Sequence, residues 1–144
     1  MSAQLLTSAC VIAALYGLYN FSIKVGSDGI HQIVAAVVLQ VVATIIGSAA
    51  LLFLYLRGTT FPPVTGKGLG FAIMAGAAVG LAEILSFYVY SRGLPVSIGT
   101  PLIVGGTVVV GSLLGIAFLH EVLKPSQCIG FVLMAIAIAL LTSK

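Results

Sequence analysis

The sequence predicts an all-α, polytopic membrane protein with five transmembrane helices in a single domain spanning residues 1–144. Three observations predict this fold class. Sixty per cent of the 144 residues are hydrophobic and only 6% are charged, with a mean hydropathy of +1.27. A soluble domain carries about a quarter charged residues, so nine formal charges (six basic and three acidic) fit a particle whose solvent is the bilayer. The apolar residues also fall into five long runs, and the charges and turn formers collect in the breaks between them.

A spanning helix needs about 20 mostly apolar residues. The first run covers residues 3–23 and ends before Lys24. It has no basic leader, and its apolar length exceeds that of a signal-peptide core, so it reads as a retained helix. The second run covers 32–56, the third 68–91, the fourth 96–119 and the fifth 126–142. Between them stand KVGSDGIH, RGTTFPPVTGK, RGLP and HEVLKPSQ, all carrying turn residues. Pro125 suits the first turn of the fifth helix, where its missing N–H leaves no bond unmade. The runs are too long, and too uniformly apolar, for the alternating strands of a membrane barrel.

The formal net charge is +3, but the six basic residues are scattered singly and form no nucleic-acid footprint. Cys10 and Cys128 lie inside apolar runs without a CxxC, zinc or disulfide pattern. They read as small buried hydrophobes. His31 and His120 lie in separate breaks with no cluster of metal ligands around them. GxSxG, HExxH, Walker A and GxGxxG patterns are absent. Neither an enzyme, nor a metal, nor a cofactor is expected.

Five spans place the termini on opposite faces of the membrane. Arg57, Lys67 and Lys124 then share one side; Lys24, Arg92 and Lys144 share the other. The excess of Lys and Arg that normally fixes orientation is zero, which suggests dual topology. Chance balance among so few charges is the plain alternative.

Lipid tails supply no hydrophobic drive between helices, so packing relies on small residues. The chain has 17 glycines. Gly76 and Gly80 form a GxxxG on the third helix, and Gly111 and Gly115 form another on the fourth. Gly105 and Gly106, one turn after Pro101, read as a conformational bend in the fourth helix.

Glu83 is the only charged residue in the third run. It lies eight residues from the nearer end of 68–91, about 12 Å deep at 1.5 Å per residue. Its stripe contains Ala72, Gly76, Val79, Gly80, Ser86, Phe87 and Tyr90, a face suited to helix packing or a cavity rather than to lipid. An ionisable group at depth marks a functional site by default. A carboxyl there can take up and release a proton, or hold a cation with Tyr90 or Phe87 offering a ring face. The alternative is a protonated acid acting as an interhelical hydrogen-bond donor. Tyr16, Asn20 and Gln40 are polar groups within spans, each either an interhelical hydrogen-bond partner or a substrate ligand. Glu121 beside Lys124 reads as an exposed ion pair. Lys24 and Arg92 read as helix-end cations that snorkel.

Two segments carry a family likeness. One is YGLYNFSIKVG, with a lysine closing the first helix. The stronger is the helix ending near YVYSRGLPVS, followed by TPLIVGGTVVVGSLLGIAFLHEVLKPSQCIGFVLMAIAIALL. This order resembles the drug/metabolite transporter superfamily, in particular one five-helix half of an EamA-type transporter, and also the small multidrug resistance proteins. Glu121, Gln127 and Gly130 match the family's turn before the last helix.

The resemblance implies a transport fold made from two halves, so this chain would work as a homodimer, antiparallel pairing included, or beside a paired five-helix subunit. The small multidrug resistance proteins use a glutamate eight residues before the lysine that closes the first helix. Here that position is Tyr16, and the first helix holds no acid.

The expected function is export of a small organic solute by alternating access, with or without proton coupling. No Lys or Arg lies mid-span, which favours a cationic or neutral, partly apolar solute over an anion. The setting would be the inner (plasma) membrane of a bacterium or archaeon. A non-transporting accessory subunit and a lipid-linked-sugar translocase are the alternatives.

Overall fold

A computed structural model describes residues 3–143; Lys144, one of the six basic residues counted above, lies outside them. Five helices follow in order: α1 (Ala3–Ser27), α2 (Gln32–Leu56), α3 (Gly66–Ser91), α4 (Val96–Leu119) and α5 (Pro125–Thr142). Each is long and apolar enough to cross a membrane, and no strand occurs among the described residues. The chain is an all-helical protein of five candidate transmembrane helices.

The helix ends follow local chemistry. α1 runs one turn past Lys24, further than the apolar run alone suggests. The lysine's charge is satisfied without leaving the helix: Nζ lies 3.3 Å from Asp28 Oδ1 and donates to Tyr90 O at 3.0 Å. A cation in the last turn also complements the helix dipole. α3 begins at Gly66, two residues early, because Thr65 is its N-cap and Oγ1 accepts from the Gly68 amide at 3.1 Å. Pro125 opens α5, and Gln127 Oε1 accepts from the Lys124 amide at 2.7 Å. Gly58 and Gly93, with φ of 73° and 92°, end α2 and α3 in the left-handed region that favours glycine.

The chain divides into two compact units, one comprising Ser22–Gly93 and the other the chain up to Phe21 together with Leu94 onward. The first holds the last turn of α1 and the α2–α3 hairpin. Ala35 and Ala36 of α2 are buried, as are Glu83, Phe87 and Tyr90 of α3. Small α2 side chains let the backbones approach, in the manner of membrane helix pairs. Gly26, in the last turn of α1, stands over Phe87: a Cβ there would lie 3.7 Å from the ring. Further along the hairpin, the Gln40 amide lies 3.6 Å from where a Gly80 Cβ would be.

The second unit holds most of α1 and the α4–α5 hairpin. Gly105 is buried on α4, and a Cβ there would collide with the Ile138 side chain of α5. Gly106 faces open space. α4 is helical throughout from Val96 to Leu119 with Pro101 inside it. His120 ends α4 at φ 56°.

Most large apolar side chains are exposed, from Leu5 on α1 to Leu141 on α5. In water such a surface would be an association hazard; in a bilayer it is the ordinary lipid-facing side. Cys10 and Cys128 belong to this surface and are exposed, correcting the expectation of burial. The rule that apolar groups go inside holds in water; lipid solvates a thiol on the outer face equally well.

Candidate functional site

The site is one face of α3. Glu83, Ser86, Phe87 and Tyr90 stand at i, i+3, i+4 and i+7, which brings them onto one side of a helix. Glu83 is 7% exposed, Phe87 6% and Tyr90 0%, and Ser86 is half-buried. Glu83 points into the protein, and it lies eight residues from Ser91, about 12 Å along the axis.

Gly80 continues the face by one turn and packs against Gln40, whereas Gly76, a further turn away, has nothing near its would-be Cβ. The stripe is therefore turned inward from Gly80 to Tyr90 and open at Gly76. The other GxxxG pair divides the same way. Gly111 faces open space, and a Cβ on Gly115 would lie 2.7 Å from Glu121 Oε2.

Lys24 supplies a floor to this face. Its ammonium donates to the Tyr90 carbonyl at 3.0 Å, near the C-terminus of α3 where carbonyls lack intrahelical partners. Lys24 therefore holds α3 instead of snorkelling to a free interface. Arg92 does extend outward, its guanidinium 5.1 Å from the centroid of the Tyr88 ring.

Tyr16 and Asn20 belong to the other unit. Tyr16 is 60% exposed, and its ring meets Tyr19 edge to face at 5.9 Å between centroids. Asn20 is buried, and its Nδ2 donates to Tyr16 O at 2.8 Å, a local back-bond within α1.

Glu121 departs from expectation. Lys24 pairs with Asp28, whereas among the described residues no ion pair joins Glu121 to Lys124. The Glu121 side chain turns back over Gly115, whose missing Cβ gives it room, and the Glu121 amide donates to Gly115 O at 3.2 Å. Gln127 is engaged as the α5 cap. Two of the three residues of the family-like turn thus shape the α4–α5 connection. Among the described residues, no group of three or more His, Cys, Asp or Glu side chains could hold a metal ion.

The roles of Lys24 and Gln40 escape sequence reading because their partners, Tyr90 and Gly80, are far along the chain. The α3 face itself is legible, since small and hydroxyl residues flank the acid at helical spacing. Chemically, the face offers a carboxyl, a hydroxyl and two rings inside a membrane protein, a combination able to exchange a proton or receive a cation. Comparisons with protein-family models, with curated proteins and with solved structures found no match.

Proposed function

We propose that this chain is a subunit of a membrane transporter, an EamA-type half that moves a small cationic or neutral, partly apolar solute by alternating access. The working unit is a pair of chains, and the setting is a prokaryotic inner membrane. The observation that supports this reading is the burial of Glu83 on α3, at a depth where an ionisable group is costly and is retained for function.

The inward face gives the carboxyl a role that a lipid-facing acid would lack. With the proton on, it is neutral and accommodates an empty site; with the proton off, it balances a cation beside Phe87 and Tyr90. Exchange between those two states couples solute movement to a proton gradient. No Lys or Arg lies mid-span to balance an anion.

The test is uptake of a panel of lipophilic cations and neutral amphiphiles into proteoliposomes under an imposed pH gradient. The expected result is gradient-driven uptake by the native chain and its loss in Glu83→Gln. Equal uptake by both would remove the coupling role of Glu83, and no uptake of any panel member would remove the transport reading.

A further inference from the structure

Gln40 faces a glycine. Its side-chain amide packs over Gly80 of α3, with Nε2 and Oε1 both 3.6 Å from where a Cβ would stand. Gly80 offers no side chain to bond. Thr44 Oγ1 donates to the main-chain oxygen of Gln40 at 2.8 Å and not to its amide. Among the described residues, neither amide atom takes part in a hydrogen bond.

The position is costly for such a group. Gln40 is half-buried and lies eight residues into α2, counted from Gln32, about 12 Å from that end. Hydrocarbon neither donates nor accepts a hydrogen bond, so an amide unbonded at this depth is a standing penalty. A leucine would carry none.

The amide also lies on the Glu83 side of α3. Gly80 and Glu83 are three residues apart, on one side of the helix and about 4.5 Å apart along its axis. Gln40 borders a groove of about 310 Å³ whose other walls are Val37, Val41, Thr44 and Ile45. That is the small end of the volumes that hold organic ligands. Thr44 donates its hydroxyl proton within α2, and the other three side chains are aliphatic, so the amide holds the groove's open N–H donors.

We infer that Gln40 is a specificity-determining residue beside Glu83, and that the solute is a protonated primary or secondary amine carrying a hydroxyl or carbonyl oxygen. Each group has a part. The Glu83 carboxylate balances the charge. Gln40 Oε1 accepts from an N–H of the solute, and Nε2 donates to its oxygen. Val37 and Val41 take the apolar remainder. A quaternary ammonium ion satisfies the carboxylate but has no N–H for the amide. The amide's partner arrives with the solute, which is why the protein supplies none. The inference rests on the transport reading above and narrows its solute.

The experiment compares native, Gln40→Leu and Gln40→Met chains in proteoliposomes under an imposed pH gradient. The probes are an aryl amino alcohol with a secondary amine, and a quaternary ammonium ion with the same aryl group and no hydroxyl. Losing hydrogen bonds to a charged solute should raise KM for the amino alcohol about tenfold. KM for the quaternary probe, and kcat for the amino alcohol, should each move by less than about twofold. Equal KM shifts for the two probes, or none for either, would overturn the assignment.

Unfolding in detergent gives a readout that a structural role moves the other way. An amide with no protein partner is not needed for the fold, so both variants should be at least as stable as the native chain. Gln40→Met keeps the unbranched stem and controls for a packing effect of leucine. A lower unfolding temperature in both would mean that Gln40 bonds elsewhere in the protein, and overturns the assignment.

Equilibrium binding of the amino alcohol to the solubilised chains separates this inference from the transport reading. Gradient-driven uptake with no preference for the amine and no effect of Gln40 removes the inference alone. Amine binding weakened about tenfold in Gln40→Leu, with no uptake by any of the chains, removes the transport reading alone.

Discussion

The ammonium of Lys24 donates a hydrogen bond to the main-chain carbonyl of Tyr90 at 3.0 Å, across 66 residues of sequence. Tyr90 is fully buried, so this bond ties the last turn of α1 to the end of the helix that carries Glu83. Asp28 holds the same ammonium from the other side at 3.3 Å.

Replacing Lys24 by methionine keeps the stem and removes the donor. A hydrogen bond to a charged group contributes about 1.5–3 kcal/mol, and the lysine side chain is 25% exposed, so solvent screening brings the expected loss below that range, to about 1 kcal/mol. Thermal unfolding in detergent should show it for Lys24→Met. Asp28→Asn should change little, because the Asp28 side chain is 67% exposed and exposed pairs contribute about 0–1 kcal/mol. Equal losses in the two variants would mean that the ion pair, rather than the carbonyl bond, fastens α1.

Gly105 and Gly106 are adjacent on α4 and should respond oppositely to alanine. Each gains about 1 kcal/mol of helix propensity. At Gly106 nothing opposes that gain, since the would-be Cβ faces open space, so Gly106→Ala should be neutral or stabilising. At Gly105 the new methyl collides with Ile138, and overpacking costs about 1–3 kcal/mol. Gly105→Ala should therefore destabilise by up to about 2 kcal/mol. Ile138→Val removes the colliding Cδ1, so the double variant should recover most of the loss. A cycle of four unfolding measurements gives the coupling directly; additivity would refute the contact.

Much of this architecture is legible in the sequence because the bilayer imposes a length on every apolar run. The α2, α4 and α5 spans can be placed from composition and turn residues alone to within about one residue. The inward face of α3 is also legible, since Gly80, Glu83, Ser86 and Tyr90 recur at helical spacing. The extra turn of α1 is not, because its cause is a carbonyl 66 residues away. The cysteines mislead for a different reason: the usual link between apolarity and burial describes water, and lipid removes it. Glu121 misleads because a nearby lysine suggests a pair, while the space left by Gly115 draws the side chain elsewhere.

Gln127 tests whether the turn before α5 is held by its cap. Its side chain accepts from the Lys124 amide at 2.7 Å, satisfying a main-chain donor that the helix cannot reach. Gln127→Ala should lower stability by about 0.5–1 kcal/mol, and Gln127→Glu, which keeps the acceptor at a helix N-terminus, should retain it. The check is detergent unfolding of both variants; equal losses would show that the acceptor oxygen is irrelevant.

Glu83 separates a structural from a transporting role by comparing three substitutions. Glu83→Gln keeps the volume and the ability to hydrogen-bond, so its stability should stay within about 1 kcal/mol of native. Glu83→Asp keeps the acid but withdraws it by one methylene, so gradient-driven uptake should fall in part while remaining sensitive to the pH gradient. Glu83→Leu removes all side-chain hydrogen bonding at a position 7% exposed, and groups left facing it lose about 1–3 kcal/mol. If Glu83 is only an interhelical hydrogen-bond donor, Gln should match the native chain in both stability and uptake, and Leu should fail in both. If it carries the coupling, Gln should fold normally and lose gradient-driven uptake, which no packing role predicts. Measuring unfolding and uptake on the same three preparations decides between them, because the readouts diverge only when the acidic proton itself is used.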